Sequence, residues 1–340
     1  MKVVFGLVVI GVSAILASPI DYDPEEWVLI PDSDYNMHLV NLSDVTFKKA
    51  LAERSDFAMN FYLYTKKNSV TAQQIATGDA SALRASNFDP KNPTRFIAHG
   101  WRQSHTSDMN ADIRNQYLTR GAFNVFVVGW SAGSNTFDYV KAAANTMTAG
   151  KKLAAFIDFV VANGNLNTGD TYLIGHSLGA HVVGIGGKHV TKGKINTIFG
   201  LDAALPMFSI NQPSKRLATG DALYVESIHT DGGALGFEEP IGNASFYPNY
   251  GNDQPGCGFD LTTGCSHSRS CTYFAESLSL PNEFLAAKCS GYSEITGKDC
   301  SIRGATTARM GGQPSNYGRG VEGVYYLPVN SKYPYATGSV

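Results

Sequence analysis

The chain has 340 residues, 43% of them hydrophobic and 16% charged, with a formal net charge of −2. That apolar fraction is ample for a packed core and excludes wholesale disorder, while the near-zero charge excludes the basic footprint of a nucleic-acid binder. The length fits one large domain or two ordinary ones, and five cysteines are too few for a disulfide-built scaffold.

Met1 and Lys2 give the chain a basic start. Val3 to Ala17 is a continuous run of apolar and small residues, followed by Ser18 and, soon after, polar Asp21 to Glu26. The run is short for a bilayer span and has the layout of a cleaved signal peptide, residues 1–18. A secreted, extracellular protein is expected, with residues 19–340 as the mature chain, no transmembrane segment and disulfides permitted. Asn41-Leu42-Ser43 and Asn243-Ala244-Ser245 are sequons for N-glycans.

Residues 21–55 are acidic and mixed and give no clear element. Phe61 to Tyr64 reads as a strand, and Phe96-Ile97-Ala98 as a strand ended by His99-Gly100. Residues 107–119 read as a helix, and Val125 to Val128 as a buried strand ended by Gly129. A long helix is predicted over 137–162, because Val140, Ala144, Met147, Leu153, Phe156, Ile157 and Val160 recur near helical spacing; Asn163-Gly164 stops it. Strands are predicted at 171–174, 195–201 and 223–228, and a helix of small apolar residues at 178–190. Strand and helix in alternation imply a mostly parallel sheet covered on both faces, an α/β fold in a single domain. No linker or internal repeat marks a boundary, and after residue 235 the chain reads as loop-rich.

The pattern G-x-S-x-G occurs twice, at Gly129 to Gly133 and at Gly175 to Gly179. A serine nucleophile needs a sharp strand-to-helix turn that exposes its Oγ and points the next backbone N–H at the developing oxyanion. Only the second copy follows a strand directly and opens a helix directly, so Ser177 is the expected nucleophile and Ser131 a strand-end turn residue. An activated serine needs a base held by a carboxylate, in the chain order Ser, Asp/Glu, His for this fold class. His181 and His189 lie on the helix after the turn and point away. His267, between Cys265 and Arg269 in what reads as a loop, is favoured as base over His229. Asp202, just past the strand at 195–201, is the favoured acid, with Asp221 and Asp231 as alternatives.

These residues sit in motifs that occur together: Gly175-His-Ser-Leu-Gly-Ala-His181, Gly200-Leu-Asp202, His229-Thr-Asp-Gly232, Pro255-Gly-Cys257 and Cys265-Ser-His-Ser-Arg-Ser270. In that order they resemble the pancreatic lipase family of α/β-hydrolases over roughly residues 55–335, and the secreted insect members most. The resemblance implies Ser177, Asp202 and His267 as the triad. It also implies an oxyanion hole from the backbone N–H groups of Trp101 and Leu178, and bridges Cys257–Cys265 and Cys289–Cys300 that leave Cys271 free. A lipid ester at an interface is the implied substrate, with no cofactor and no metal required; a lipid-binding protein on an inactive lipase fold is the alternative.

Four departures refine this expectation. Ala203 stands where the family has proline. The chain stops at 340 without the C-terminal β-sandwich of the larger members, so no colipase partner is expected. The family's lid lies between two bridged cysteines, but here Cys257 and Cys265 enclose only Gly258 to Gly264. A lid that short resembles the phospholipase A1 members and predicts little interfacial activation. The segment after the triad acid offers only Asp221 as a carboxylate, too few oxygens for calcium.

Overall fold

The computed structural model describes residues 27–32, 36–52, 56–258, 264–300 and 306–340. The expected signal peptide, residues 1–18, lies outside them. The strands among the described residues are β1 (Trp27–Pro31), β2 (Met37–Asn41), β3 (Asn60–Tyr64), β4 (Gln73–Ile75), β5 (Thr94–Ala98), β6 (Asn124–Gly129), β7 (Thr171–His176), β8 (Thr197–Leu201), β9 (Tyr224–Ile228), β10 (Ala244–Pro248), β11 (Leu285–Lys288), β12 (Thr307–Arg309) and β13 (Gly323–Leu327). The helices are α1 (Asp44–Ala52), α2 (Ala80–Ala85), α3 (Asp108–Arg120), α4 (Ser131–Ser134), α5 (Tyr139–Gly164), α6 (Leu178–His189), α7 (Gly264–Ser277) and α8 (Tyr292–Thr296).

Eleven of these strands form one sheet in the order β12-β11-β13-β10-β9-β8-β7-β5-β6-β3-β4. From β6 through β13 on the other side of the centre, neighbours run parallel; β3, β4, β11 and β12 add antiparallel edges. The central strands β5, β7, β8 and β9 are buried at every position, which is why they show no polar–apolar alternation, although Arg95 of β5 and Glu226 of β9 are buried with the apolar residues. Their side chains still alternate between faces. Phe96, Ala98 and Leu173 join one core cluster with residues of α5 and α6, and Ile97, Ile174 and Phe199 join the other with residues of α3 and α7. Ala98 pairs with Gly175, and Gly175 with Gly200, so β5, β7 and β8 end at one edge of the sheet. In open parallel sheets that carboxyl edge is where sites are built.

Each strand and helix read from sequence between β3 and β9 forms, in that order; the short elements β4, α2 and α4 between them were not read. α5 runs two residues beyond its expected end: Gly164 is still helical, and Asn165 closes the helix in the left-handed conformation at φ 56°. Asp138 caps its start, accepting the Lys141 N–H at 2.9 Å. The stretch after residue 235 is more regular than it reads. It holds β10 to β13, α7 and α8, each short or interrupted by proline and serine, so periodicity has little length in which to appear. The lead-in before residue 55 likewise folds, as the antiparallel hairpin β1–β2 and α1, apart from the main sheet.

Both expected bridges form, Cys257–Cys265 and Cys289–Cys300, and Cys271 is a buried free thiol. Burial pushes that thiol far above its ordinary pKa, so it behaves as a small hydrophobe rather than a nucleophile. Iodoacetamide should therefore leave the native protein unlabelled and, in denaturant without reductant, label Cys271 alone. Non-reduced peptide mapping that found Cys271 bridged to Cys289 would overturn this.

Candidate active site

β7 runs straight into Gly175-His176-Ser177, and α6 begins at the next residue. Ser177 sits at φ 56°, ψ −124°, a strained conformation for a residue with a side chain. The flanking glycines make that turn sterically feasible. A Cβ on Gly175 would lie 2.2 Å from Gly179 O, and one on Gly179 would lie 2.2 Å from Ala98 O and 2.6 Å from His99 O. In each case the obstacle is backbone, which cannot step aside.

The other G-x-S-x-G copy does a different job. Ser131 opens the single turn of α4 rather than an unstructured turn, and its Oγ donates to Gln103 O at 3.2 Å. Its glycines make room for rings: a Cβ on Gly129 would meet Tyr62 at 2.6 Å, and one on Gly133 would meet Phe57 at 2.5 Å.

Asp202 follows β8 at φ 43°, and its side chain is buried. Its Oδ1 accepts the Thr230 N–H at 2.7 Å and the Asp231 N–H at 3.0 Å. Its Oδ2 lies 2.6 Å from His267 Nδ1. His267 is in the first turn of α7, not in a loop as its serine-rich surroundings suggest. The helix is fixed by its later residues, since Cys271, Tyr273, Phe274 and Ala275 join the core beneath the sheet. The structure thus brings together Ser177, Asp202 and His267 at the sheet's carboxyl edge. Ser177 and His267 share a cavity wall, without a hydrogen bond drawn between Oγ and Nε2. Such contacts are often loose until substrate is present.

The rival residues are engaged elsewhere. His181 receives the Leu217 N–H on Nδ1 and faces Ala204 O through Nε2 at 2.7 Å. His189 turns its Nδ1 to Ile185 O. His229 is sandwiched between Phe237 O, 2.7 Å from Nδ1, and Ser227 Oγ, 2.8 Å from Nε2. Asp221 pairs with Lys188 and accepts the Ala218 N–H, and Asp231 accepts the Leu235 N–H at 3.0 Å.

Removing charge from water dominates the electrostatics. Burial pushes the Asp202 carboxyl up, against the pull of the Thr230 and Asp231 N–H groups, and pushes the His267 imidazole down. The imidazole is therefore held neutral, the form that can accept a proton from a hydroxyl. Two groupings among the described residues bring acid, thiol or imidazole atoms within 4.8 Å of one another. In one, Cys289 and Cys300 are already bridged to each other. In the other, Asp202 gives both its oxygens to N–H donors, so neither grouping has the chemistry of a metal site.

Trp101 lines the same cavity. The turn before it presses on Ser177, for a Cβ on Gly100 would lie 3.0 Å from Ser177 Cβ. Gln103 Oε1 accepts the Gly100 N–H at 2.8 Å and the Trp101 indole N–H donates to Thr136 O at 2.8 Å. Leu178, the other expected donor, is the first residue of α6 and wholly buried. Several contributors were not foreseen. Gln103 and Tyr139 line the cavity, as do Ile30, Pro31 and Asp32 from the N-terminal hairpin. Gln254 ties the site's two loops together: its Nε2 donates to Thr230 O and Pro248 O, and its backbone N–H donates to Ser266 Oγ, next to His267.

The lipase family model matches residues 32–335. Pancreatic triacylglycerol lipase of Ictidomys tridecemlineatus is 31% identical over 304 residues, covering 82% of this chain and 65% of that protein. This chain belongs to the pancreatic lipase family. Other family members align similarly. Lipase member H of Xenopus tropicalis is 36% identical over 70% of this chain and 52% of its own length. Human pancreatic triacylglycerol lipase is 32% identical over 72% of this chain and 57% of its own length. The chain spans about half to two thirds of these relatives. The family's proline position holds Ala203, whose carbonyl accepts the Phe237 N–H at 2.8 Å, so the turn after Asp202 is anchored without proline. Of the short loop in the family's lid position, residues 259–263 lie outside the described residues.

Proposed function

We propose that this chain hydrolyses carboxylic esters of lipids by acyl transfer. Ser177 attacks the ester carbonyl, His267 takes its proton and later delivers it to the leaving alcohol, and Asp202 orients the imidazole and stabilises its cation. The N–H groups of Trp101 and Leu178 hold the oxyanion, and water then repeats the cycle on the acyl-enzyme. No cofactor is needed for these steps. The observation that carries the reading is the buried His267–Asp202 contact at 2.6 Å beside a serine strained to φ 56° on a strand-to-helix turn.

Lipid rather than soluble esters is favoured by the cleft's surroundings. Leu29 and Leu39 face each other across the hairpin that borders the cavity, both 58% exposed, and Phe137, which touches His38 of the same hairpin, is 74% exposed. Apolar surface beside a cleft suits contact with a lipid layer. The short loop between Cys257 and Cys265 favours a phospholipid cleaved at the sn-1 chain over a neutral glyceride, because it leaves room for a polar headgroup. Two disulfides support the expected export to an oxidising compartment, and Asn41 and Asn243, both half-buried, are the proposed glycan sites. The deciding assay gives the secreted protein sn-1-labelled phosphatidylcholine and, separately, triolein. Release of the sn-1 acyl chain at the higher rate is expected; a faster rate on triolein would overturn the phospholipid reading, and no hydrolysis of either would overturn both.

A further inference from the structure

The N-terminal hairpin belongs to no other sheet, yet it reaches into the cavity of the nucleophile. Its inner face buries Ile30 and Val40 in the main core, and Ile30, Pro31 and Asp32 border the cavity with Ser177 and Trp101. Asp32 brings a carboxylate whose side chain is 0% exposed. It lies 3.3 Å from the Arg102 guanidinium and 2.9 Å from His38 Nε2, and it accepts the Asn36 N–H at 3.0 Å.

Arg102 is the residue immediately after Trp101. It occupies the left-handed region at φ 52°, which a side chain of its size enters only when neighbours hold it there. Those neighbours are identifiable. Its N–H donates to Ser134 O at 3.1 Å, its guanidinium lies 4.2 Å from the Phe137 ring centre, and Asp32 holds the guanidinium from the hairpin side. His38 also meets the Trp101 ring edge-on at 5.0 Å. The hairpin therefore grips both residues of the turn.

A carboxylate in this cavity has a second consequence. The reaction develops negative charge on the substrate oxygen, and a nearby anion in a low-dielectric site opposes that charge. Arg102 cancels it. We propose that Asp32 and Arg102 are positioning residues for the oxyanion-stabilising turn. Their ion pair fixes the backbone beside the Trp101 N–H, and the arginine shields the developing oxyanion from the buried carboxylate. This rests on Trp101 supplying an oxyanion donor, as proposed above.

The inference carries an unusual sign pattern. Arg102→Gln leaves the buried carboxylate with one cation fewer, whereas Asp32→Asn removes the anion itself. On a soluble ester such as p-nitrophenyl butyrate, Arg102→Gln should lower kcat by about tenfold, part of what losing an oxyanion donor costs, with KM little changed. Asp32→Asn should lower it less. The double variant should recover activity relative to Arg102→Gln alone, because the unshielded charge is gone. Arg102→Lys, which keeps the charge, should stay near wild type. Phosphonylation of Ser177 by a fluorophosphonate probe should follow the same order, since it uses the same oxyanion site. Additive losses in the double variant, or a lysine variant as impaired as the glutamine one, would overturn the proposal. If Arg102→Gln does not fold, Asp32→Asn and Arg102→Lys still decide: both near wild type in KM, with kcat falling only for Asp32→Asn, is the expected result, and unchanged kcat in both overturns it. Ser177→Ala run alongside separates the two claims, because an active Ser177→Ala protein defeats the functional reading, whereas a dead one with unaffected hairpin variants defeats only this inference.

Discussion

Ser177→Ala and His267→Ala should each lower kcat by roughly 10⁴–10⁶-fold in a protein that still folds, because nucleophile and base act as a unit and either loss forfeits nearly the whole gain. Asp202→Asn should cost about 10⁴-fold by a different route. The amide would turn an N–H toward His267 Nδ1 and stabilise the wrong imidazole tautomer. The buried contact at 2.6 Å leaves little freedom to escape that mismatch. Ser131→Ala should retain most activity, since it loses only the 3.2 Å bond to Gln103 O. Rates on a soluble ester, with a thermal melt to confirm folding, test all four variants. An inactive but folded Ser131→Ala protein would reassign the nucleophile to the other copy of the motif.

Ser177 was preferred to Ser131 from sequence on local geometry, a strand entering the glycine turn and a helix leaving it; the structure gives the first copy both, β6 and the single turn of α4, so what sets Ser177 apart is the twelve-residue α6 that follows it and its own φ of 56°. Asp202 was placed from sequence for a related reason, as a residue just past a central strand lies at the sheet edge where Ser177 stands. The base was harder. The segment from Cys265 to Ser270 carries no helical periodicity, and the apolar residues that make it the start of a helix, Cys271 to Ala275, come four to eight positions after His267. The histidine's partner is likewise a contact across 65 residues, which no local pattern records. The hairpin escaped notice for another reason. Its strands are five residues each, and both of their faces carry apolar side chains, so neither a clean alternation nor a buried run is visible. His229-Thr-Asp-Gly232 was visible as a motif, but its purpose was not: the backbone of Thr230 and Asp231, not the histidine, meets the acid.

Gly236, beside Asp202, has no chemistry of its own. The chain from Thr230 to Phe237 wraps the acid, and its far side closes through the Gly236 N–H to Asp231 O at 3.0 Å and the Phe237 N–H to Ala203 O at 2.8 Å. Gly236 packs directly on the carboxylate, where a Cβ would lie 2.4 Å from Asp202 Oδ2 and 2.5 Å from Oδ1. Its backbone is not in the left-handed region, so alanine brings no torsional strain there. The three nearest atoms all belong to the Asp202 carboxylate, and a side chain can shift where backbone cannot. Gly236→Ala should therefore fold and yet displace Asp202 by a good fraction of an ångström, at the expense of its bonds to Thr230, Asp231 or His267. Misplacement on that scale costs about a hundredfold in kcat, with KM changing much less. Gly291→Ala, where nothing lies within 4 Å of the added methyl, is the matched control and should behave as wild type. Gly179→Ala should differ from both, failing to fold because its obstacles are the carbonyls of Ala98 and His99. Wild-type kcat in Gly236→Ala would mean the acid can give way without harm, and a Gly236→Ala protein that unfolds would mean that the backbone moves before the carboxylate does; either result would defeat the argument that this glycine exists to seat the acid.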